Sequence, residues 1–196
     1  MRQNPARRTA LLDAAIEVLA REGSRGLTLR AIDKEAGVPV GTASNYFVNR
    51  DELLGQVMRR TRERLAPDPA ALAATMERAP SRELATELMR QLLARMRADR
   101  ASNLAMLELR QEATRRPDLH AELSGFLSAE HQEVIDHHLD AGLPGDRTGV
   151  ALMYFAMLGM IVDDLTIPAV LEPYSTDELI EQMVARLLTP HPPQGS

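Results

Sequence analysis

The chain contains no cysteine, no tryptophan and, among its 23 cationic side chains, a single lysine, Lys34. Without cysteine there are no disulfides and no thiolate metal sites, which fits a reducing cytoplasm. Aromatic residues make up only 3% of the chain, so leucine, alanine, methionine, valine and isoleucine must fill the core. Strand formers are scarce, and the dominant Ala, Leu, Arg, Glu and Met favour helix. The N-terminal stretch has neither an uninterrupted apolar segment nor a small-residue cleavage site, so it does not read as a signal peptide. The longest apolar run, Val150 to Val162, has thirteen residues; a bilayer span needs ~20, and a soluble, cytoplasmic protein without a membrane partner is expected. A Gly-rich phosphate loop, a cysteine nucleophile and a G-x-S-x-G elbow are also missing, and no enzymatic activity or cofactor is expected.

What is present is an uneven charge distribution. The net charge of −5 divides into 12 basic and 8 acidic side chains in residues 1–65, net +4, and 11 basic and 20 acidic beyond, net −9. A basic head on an acidic body can attract phosphate locally while the whole chain stays anionic.

Apolar periodicity predicts an all-α chain of about nine helices. Leu11, Ala14, Ala15, Val18 and Leu19 share one face of a first helix, Ala6–Arg21, closed by Gly23 and Gly26. Thr28 caps a second short helix through Ala36, Gly37 ends it, and Pro39 opens a third that runs to Phe47. A fourth starts between Asn49 and Asp51 and reaches Leu65. After a proline-bounded spacer with one short helix, Ala70–Glu77, come segments Ser81–Ala98, Ala101–Arg115, Asp118–Ala141, Arg147–Thr166 and Thr176–Leu188. The layout expected is a compact three-helix head at 1–50, a larger helical body at 51–190 with 51–65 as connecting helix, and a disordered tail at 191–196.

Two short helices joined by a glycine turn and braced by a third form a helix-turn-helix, whose second helix enters the major groove of DNA. Val40 to Phe47 would be that helix; a plain helical hairpin has the same outline. His131, His137 and His138 with Glu130, Glu133 and Asp136 invite a metal reading, but a di-iron bundle needs further ligand motifs, so no metal is expected and a solvated helix face is the default. A helical enzyme or small-molecule-binding protein without operator binding remains the alternative.

The stretch GLTLRAIDKEAGVPVGTASNYFVNRDELL (Gly26–Leu54) resembles the signature of the tetracycline-repressor-like (TetR) family: an LT-x-R-x-IA-x-x-AGV block, a GT-x-x-x-x-F recognition helix, then N-K/R-x-x-LL. The resemblance implies a regulator, commonly a repressor released from a palindromic operator by a small-molecule effector. Position by position it implies that Arg30 reaches a base edge, that Val40, Gly41 and Asn45 face bases, and that Thr28, Thr42, Ser44, Tyr46 and Arg50 hold phosphates. Thr28 also reads as an N-cap and Arg50 as a solvated charge, while Leu27, Ile32, Phe47 and Leu53 read as core. The family pattern has a Ser or Thr cap where this chain has Pro39, so the reading helix would begin by ring geometry alone.

In the body, the run Val150–Val162 is apolar nearly all round, so an exposed position would need a covering partner. With the last helix it resembles the family's four-helix homodimer interface, which implies contacts by Leu152, Phe155, Ala156, Gly159, Met160, Leu179, Met183 and Leu187. Met89, Leu93, Met96, Met106, Glu108, Phe126, Tyr154 and Met157 are expected to line the pocket of an unknown effector, methionine being adaptable in irregular cavities and equally a core filler. Gly55 reads as a tolerated surface glycine or a pivot.

Overall fold

A computed structural model describes residues 4–189, and the tail expected at 191–196 lies outside them. Among the described residues the regular elements are α1 (Pro5–Gly26), α2 (Leu29–Glu35), α3 (Arg50–Leu65), α4 (Pro69–Met76), α5 (Arg82–Ala98), α6 (Arg100–Ala113), α7 (Pro117–Asp140), α8 (Arg147–Thr166) and α9 (Thr176–Leu187), with short 3-10 turns at Ala43–Asn45 and Pro168–Val170. The fold is all-α. Most helices start where a short polar side chain can accept from the orphan amides of the first turn. Thr28 accepts from Ala31 N at 3.1 Å, Asn49 from Glu52 N at 2.8 Å, Asp68 from Ala71 N at 2.9 Å and Asp146 from Gly149 N at 2.7 Å. Glu52 completes the start of α3 by accepting from Val48 N at 2.9 Å.

The chain divides into two compact units that do not follow chain order: residues up to Ala66 with Asp99–Phe126, and Pro67–Ala98 with Leu127 onward. In the first unit α1 packs on α2, α3 and α6. Leu11, Ala15, Ile16, Val18, Leu19, Leu27, Ile32, Phe47, Leu53 and Leu54 are buried there, so the expected core positions are core. Arg64 of α3 ties three helices at its polar edge. Its guanidinium makes paired bonds of 2.8 and 2.9 Å to Asp99, which caps α6, and reaches Glu17 of α1 at 3.2 Å. Paired Arg–carboxylate geometry of this kind is stronger than a single contact. Gly55 is no surface glycine: it is buried, and a Cβ there would stand 2.8 Å from the Glu122 carboxylate.

In the second unit α5, α8 and α9 pack together, with α4 against α5. The buried face of α8 consists of Val150, Met153, Met157, Met160, Ile161 and Leu165, and that of α9 of Ile180 and Val184. By length and composition alone the twenty-residue α8 is long enough to cross a membrane, because the helix extends beyond the thirteen-residue apolar run. It nevertheless carries Asp164, which receives two bonds from Arg97 of α5 at 2.9 and 2.6 Å; the Arg97 hydrogen bonds hold that carboxyl below its usual range. Two histidines expected on a solvated face are engaged instead. His138 Nε2 lies 2.9 Å from the Pro144 carbonyl oxygen, and burial lowers its pKa; the His131 ring packs on Tyr154 at 4.5 Å and Phe155 at 5.1 Å.

Gly149 marks the closest helix approach in this unit: a Cβ would fall 2.3 Å from the Leu187 carbonyl oxygen. Gly149→Ala is therefore expected to push α8 from α9 and cost about 1–3 kcal/mol, read as a lowered thermal midpoint. Gly125→Ala, at an exposed position of α7 with nothing within 4 Å of the added carbon, should leave the midpoint unchanged or slightly raised.

Candidate DNA-binding head

The segment from Pro39 to Phe47 is not the continuous helix that its composition suggests. Val40 to Thr42 form a turn, Gly41 takes φ +92°, and only Ala43–Asn45 wind into a 3-10 turn. Asp33 supplies the physical reason. It lies on α2, is 1% exposed, and accepts from Gly41 N and Ala43 N, both at 2.7 Å. An α-helix beginning at Pro39 would bond the Ala43 amide to Pro39 O, and its capture by Asp33 competes with that ladder. The initiating hydroxyl that Pro39 lacks is thus replaced from a neighbouring helix rather than by ring geometry alone. Asp33 stands where the family pattern carries alanine. A charged residue beside Ile32, on the buried side of α2, was the sequence signal for it.

The polar side chains of the turn fold back on its own carbonyls. Thr42 Oγ1 donates to Pro39 O at 2.6 Å, Ser44 Oγ to Gly41 O at 2.7 Å and Asn45 Nδ2 to Gly41 O at 3.1 Å. Val40 is 75% exposed, and Gly41, Ser44 and Asn45 are exposed beside it. Arg30 and Thr28 are exposed on α2; Thr42 and Tyr46 are half-buried. The Arg8 guanidinium of α1 lies 5.9 Å from the Tyr46 ring and 6.0 Å from that of Phe47, and also bonds Gln56 of α3. Apart from Arg50, then, the residues expected to meet DNA lie at α2 and the turn after it, partly tied to local backbone.

Arg50 is placed differently. Its guanidinium is half-buried and donates to Leu27 O at 2.8 Å, to Ser24 Oγ at 2.9 Å and to Ser24 O. It braces the segment where α1 breaks, Gly23 having φ +68° and ψ −178°. On the other side of that break Glu108 of α6 accepts from Ser24 N at 3.2 Å. One turn along α6, Glu112 accepts from Arg116 Nε at 2.6 Å and Arg115 Nη2 at 3.2 Å. Arg116, Ser24 and Arg115 together outweigh burial and bring the Glu112 carboxyl down to about 2. The brace was missed because its partners lie far apart in sequence.

The remaining expected residues belong to the body. On α8, Leu152 and Phe155 are 51% and 57% exposed, with Gly159 exposed and Ala156 half-buried beside them. Leu179, Met183 and Leu187 are half-buried on α9. Met160 is 7% exposed and faces the protomer's own core. The eight residues expected around an effector fall in both units. Met106, Glu108 and Phe126 belong to the first, where the Arg62 guanidinium lies 5.2 Å from the Phe126 ring. Leu93, Met96 and Met157 are buried in the second, with Met89 and Tyr154 half-buried.

Comparison with known proteins places the head and body together. Residues 11–57 match the bacterial regulatory proteins of the tetR family, and residues 80–190 match the tetracyclin repressor-like C-terminal domain. The chain belongs to this family of DNA-binding transcriptional regulators. It is 36% identical over 86 residues to the HTH-type transcriptional regulator BetI of Rhizobium meliloti (strain 1021), covering 44% of this chain and 41% of that relative's length. It is 27% identical over 158 residues, 81% of this chain and 80% of the relative, to the HTH-type nicotine-responsive transcriptional repressor HdnoR of Paenarthrobacter nicotinovorans. Among solved structures, the multidrug binding protein EbrR complexed with imidazole superposes with a TM-score of 0.70 at 28% identity, covering 97% of this chain and 99% of EbrR.

Because the folded-state pKa of Glu112 is depressed, its contribution to stability is present above the unfolded carboxyl range near 4.5 and is lost as pH falls toward 2. Glu112→Gln is therefore expected to be less stable than wild type at neutral pH, by on the order of 1–2 kcal/mol after discounting for solvent screening. In thermal melts across pH, the difference should close between pH 5 and pH 2.

Proposed function

We propose that the chain is a cytoplasmic dimeric repressor, not an enzyme, that binds a palindromic operator and releases it on binding a small organic molecule. The observation that carries the operator reading is the exposed set on α2 and its following turn, within residues 1–65, the third of the chain with net charge +4. Arg30 is the base reader of this arrangement, since paired Arg–guanine bonds are the commonest specific contact. Val40, Gly41 and Asn45 face bases beside it, and Thr28 and Tyr46 hold phosphates, which position without reading; Thr42 and Ser44 join them by releasing the bonds they donate to Pro39 O and Gly41 O. Arg50, whose guanidinium is held by Ser24 and Leu27, acts as a brace and is not assigned a phosphate. One such short element reads few base pairs, so a two-fold dimer reading half-sites about one helical turn apart is required for useful affinity.

The apolar stripe of Leu152, Phe155 and Gly159, with Leu179, Met183 and Leu187 of α9, supplies the dimer face; uncovered, it would leave large apolar groups in water. The effector belongs in the helical body, in the domains we expect at 51–190, with the head at 1–50. Relatives support a ligand-responsive reading: HdnoR is described as nicotine-responsive, and EbrR has been crystallised with ethidium and malachite green. The methionine-rich layer of Met89, Leu93, Met96, Tyr154 and Met157, all within the second unit, suits such a ligand; Met106, Glu108 and Phe126 belong to the first unit and are not assigned to it.

Selection from a random-sequence duplex library should enrich a palindrome whose affinity falls steeply with salt; enrichment of no sequence at moderate salt would refute operator binding. Arg30→Ala should lose about 1–3 kcal/mol of base discrimination at one position in each half-site. Phe155→Glu should shift the chain from dimer to monomer in sedimentation analysis; a variant that sediments as wild type would place the dimer face elsewhere.

A further inference from the structure

We infer that Asp33 is a positioning residue for base reading: the buried carboxylate sets the conformation of the turn that carries Val40 and Asn45 without touching DNA itself. This rests on the operator reading above. At 1% exposure Asp33 cannot reach a base or a phosphate. Its two bonds, 2.7 Å each, fix the peptide planes that join Val40 to Gly41 and Thr42 to Ala43. Those planes bracket the Gly41–Thr42 pair, within which Gly41 sits at φ +92°, and a glycine left to itself samples both signs of φ about equally. The carboxylate therefore selects one conformer of the most pliable residue in the reader.

Two consequences follow from the geometry. First, the Gly41 and Ala43 amides point inward, so a phosphate at this turn meets side chains rather than these two N–H groups. Second, the outward direction of Val40, 75% exposed, is decided from inside the head. The carbonyls of Pro39 and Gly41 are bonded by Thr42, Ser44 and Asn45 of the turn itself, and Asp33 adds a hold on its amides from α2. Without it, DNA binding has to order the turn first, and that cost falls on the correct sequence, where close fit matters, more than on phosphate attraction.

The test uses the full chain, the consensus enriched by wild type from a random duplex library, and a scrambled duplex of the same length. Asp33→Ala is expected to lose about ten-fold of the consensus-to-scrambled affinity ratio, the worth of roughly one good base contact. The salt dependence should be unchanged, because the number of phosphates neutralised is unchanged. Asp33→Asn keeps one acceptor and should fall between the two, which also serves if the alanine variant folds poorly. Adding Pro39→Ser to Asp33→Ala supplies a capping hydroxyl within the turn and should restore part of the ratio. Amide hydrogen exchange should show Gly41 and Ala43 protected in wild type and exposed in Asp33→Ala. Equal discrimination by wild type and Asp33→Ala, or equal exchange at those two amides, would overturn the role of Asp33 alone. A wild-type chain that enriches no consensus would instead remove the operator reading, and this role with it.

Discussion

The first helix stops being regular at Gly23, and the backbone groups left there must be bonded by something other than the next turn of helix. Glu108 takes the Ser24 amide, while Arg50 takes the Ser24 and Leu27 carbonyls. Orphaned backbone groups away from water are costly, so the break in α1 forces α3 and α6 to meet it. The rest of the first unit is organised by that requirement. The start of α2 follows directly from the braced segment, and the reading turn is hung in turn from α2 by Asp33. The order of dependence runs from a glycine conformation, through an arginine and two carboxylates, to the outward side chains of the turn.

A second feature is how little of this head is held by aromatic packing. Phe47 is the one large ring fully buried among the described residues, and leucine, isoleucine, valine, alanine and methionine supply the remaining apolar contact. Apolar attraction of this kind is non-directional. Charge-assisted bonds at 2.6–2.9 Å, as at Asp33, Arg64 and Glu112, carry the geometric definition instead, since ionised partners make shorter and more directional bonds than neutral ones.

The body solves a different problem. Its α8 is apolar on nearly every side, so one face packs within the protomer on α5 and α9 while the opposite face keeps Leu152 and Phe155 at the surface. Gly149 allows the inner approach; Gly159, with open space around it, sits on the outer face. The inner face of this helix is covered within its own unit, and the outer face leaves large apolar side chains exposed.

How much of this was legible in the residues depends on the range of the interactions involved. Helix starts were readable because caps are local: Thr28, Asn49 and Asp68 each bond an amide three residues away. The core stripe of α1 and the family signature were readable because both are patterns in adjacent residues. Pro39 to Phe47 read as helix on the same local grounds and is not one, since Asp33 captures amides eight and ten residues ahead of it. Arg50 read as a surface charge because its partners lie 23 and 26 residues back, and Gly55 read as exposed because Glu122 arrives from a helix far along the chain. The sequence alone determined the helices other than the one expected at Pro39–Phe47, the uneven charge and the family. Tertiary structure decided which polar groups face outward, because a side chain's bonding partner is set by what the fold brings within 3 Å and not by its neighbours in the chain.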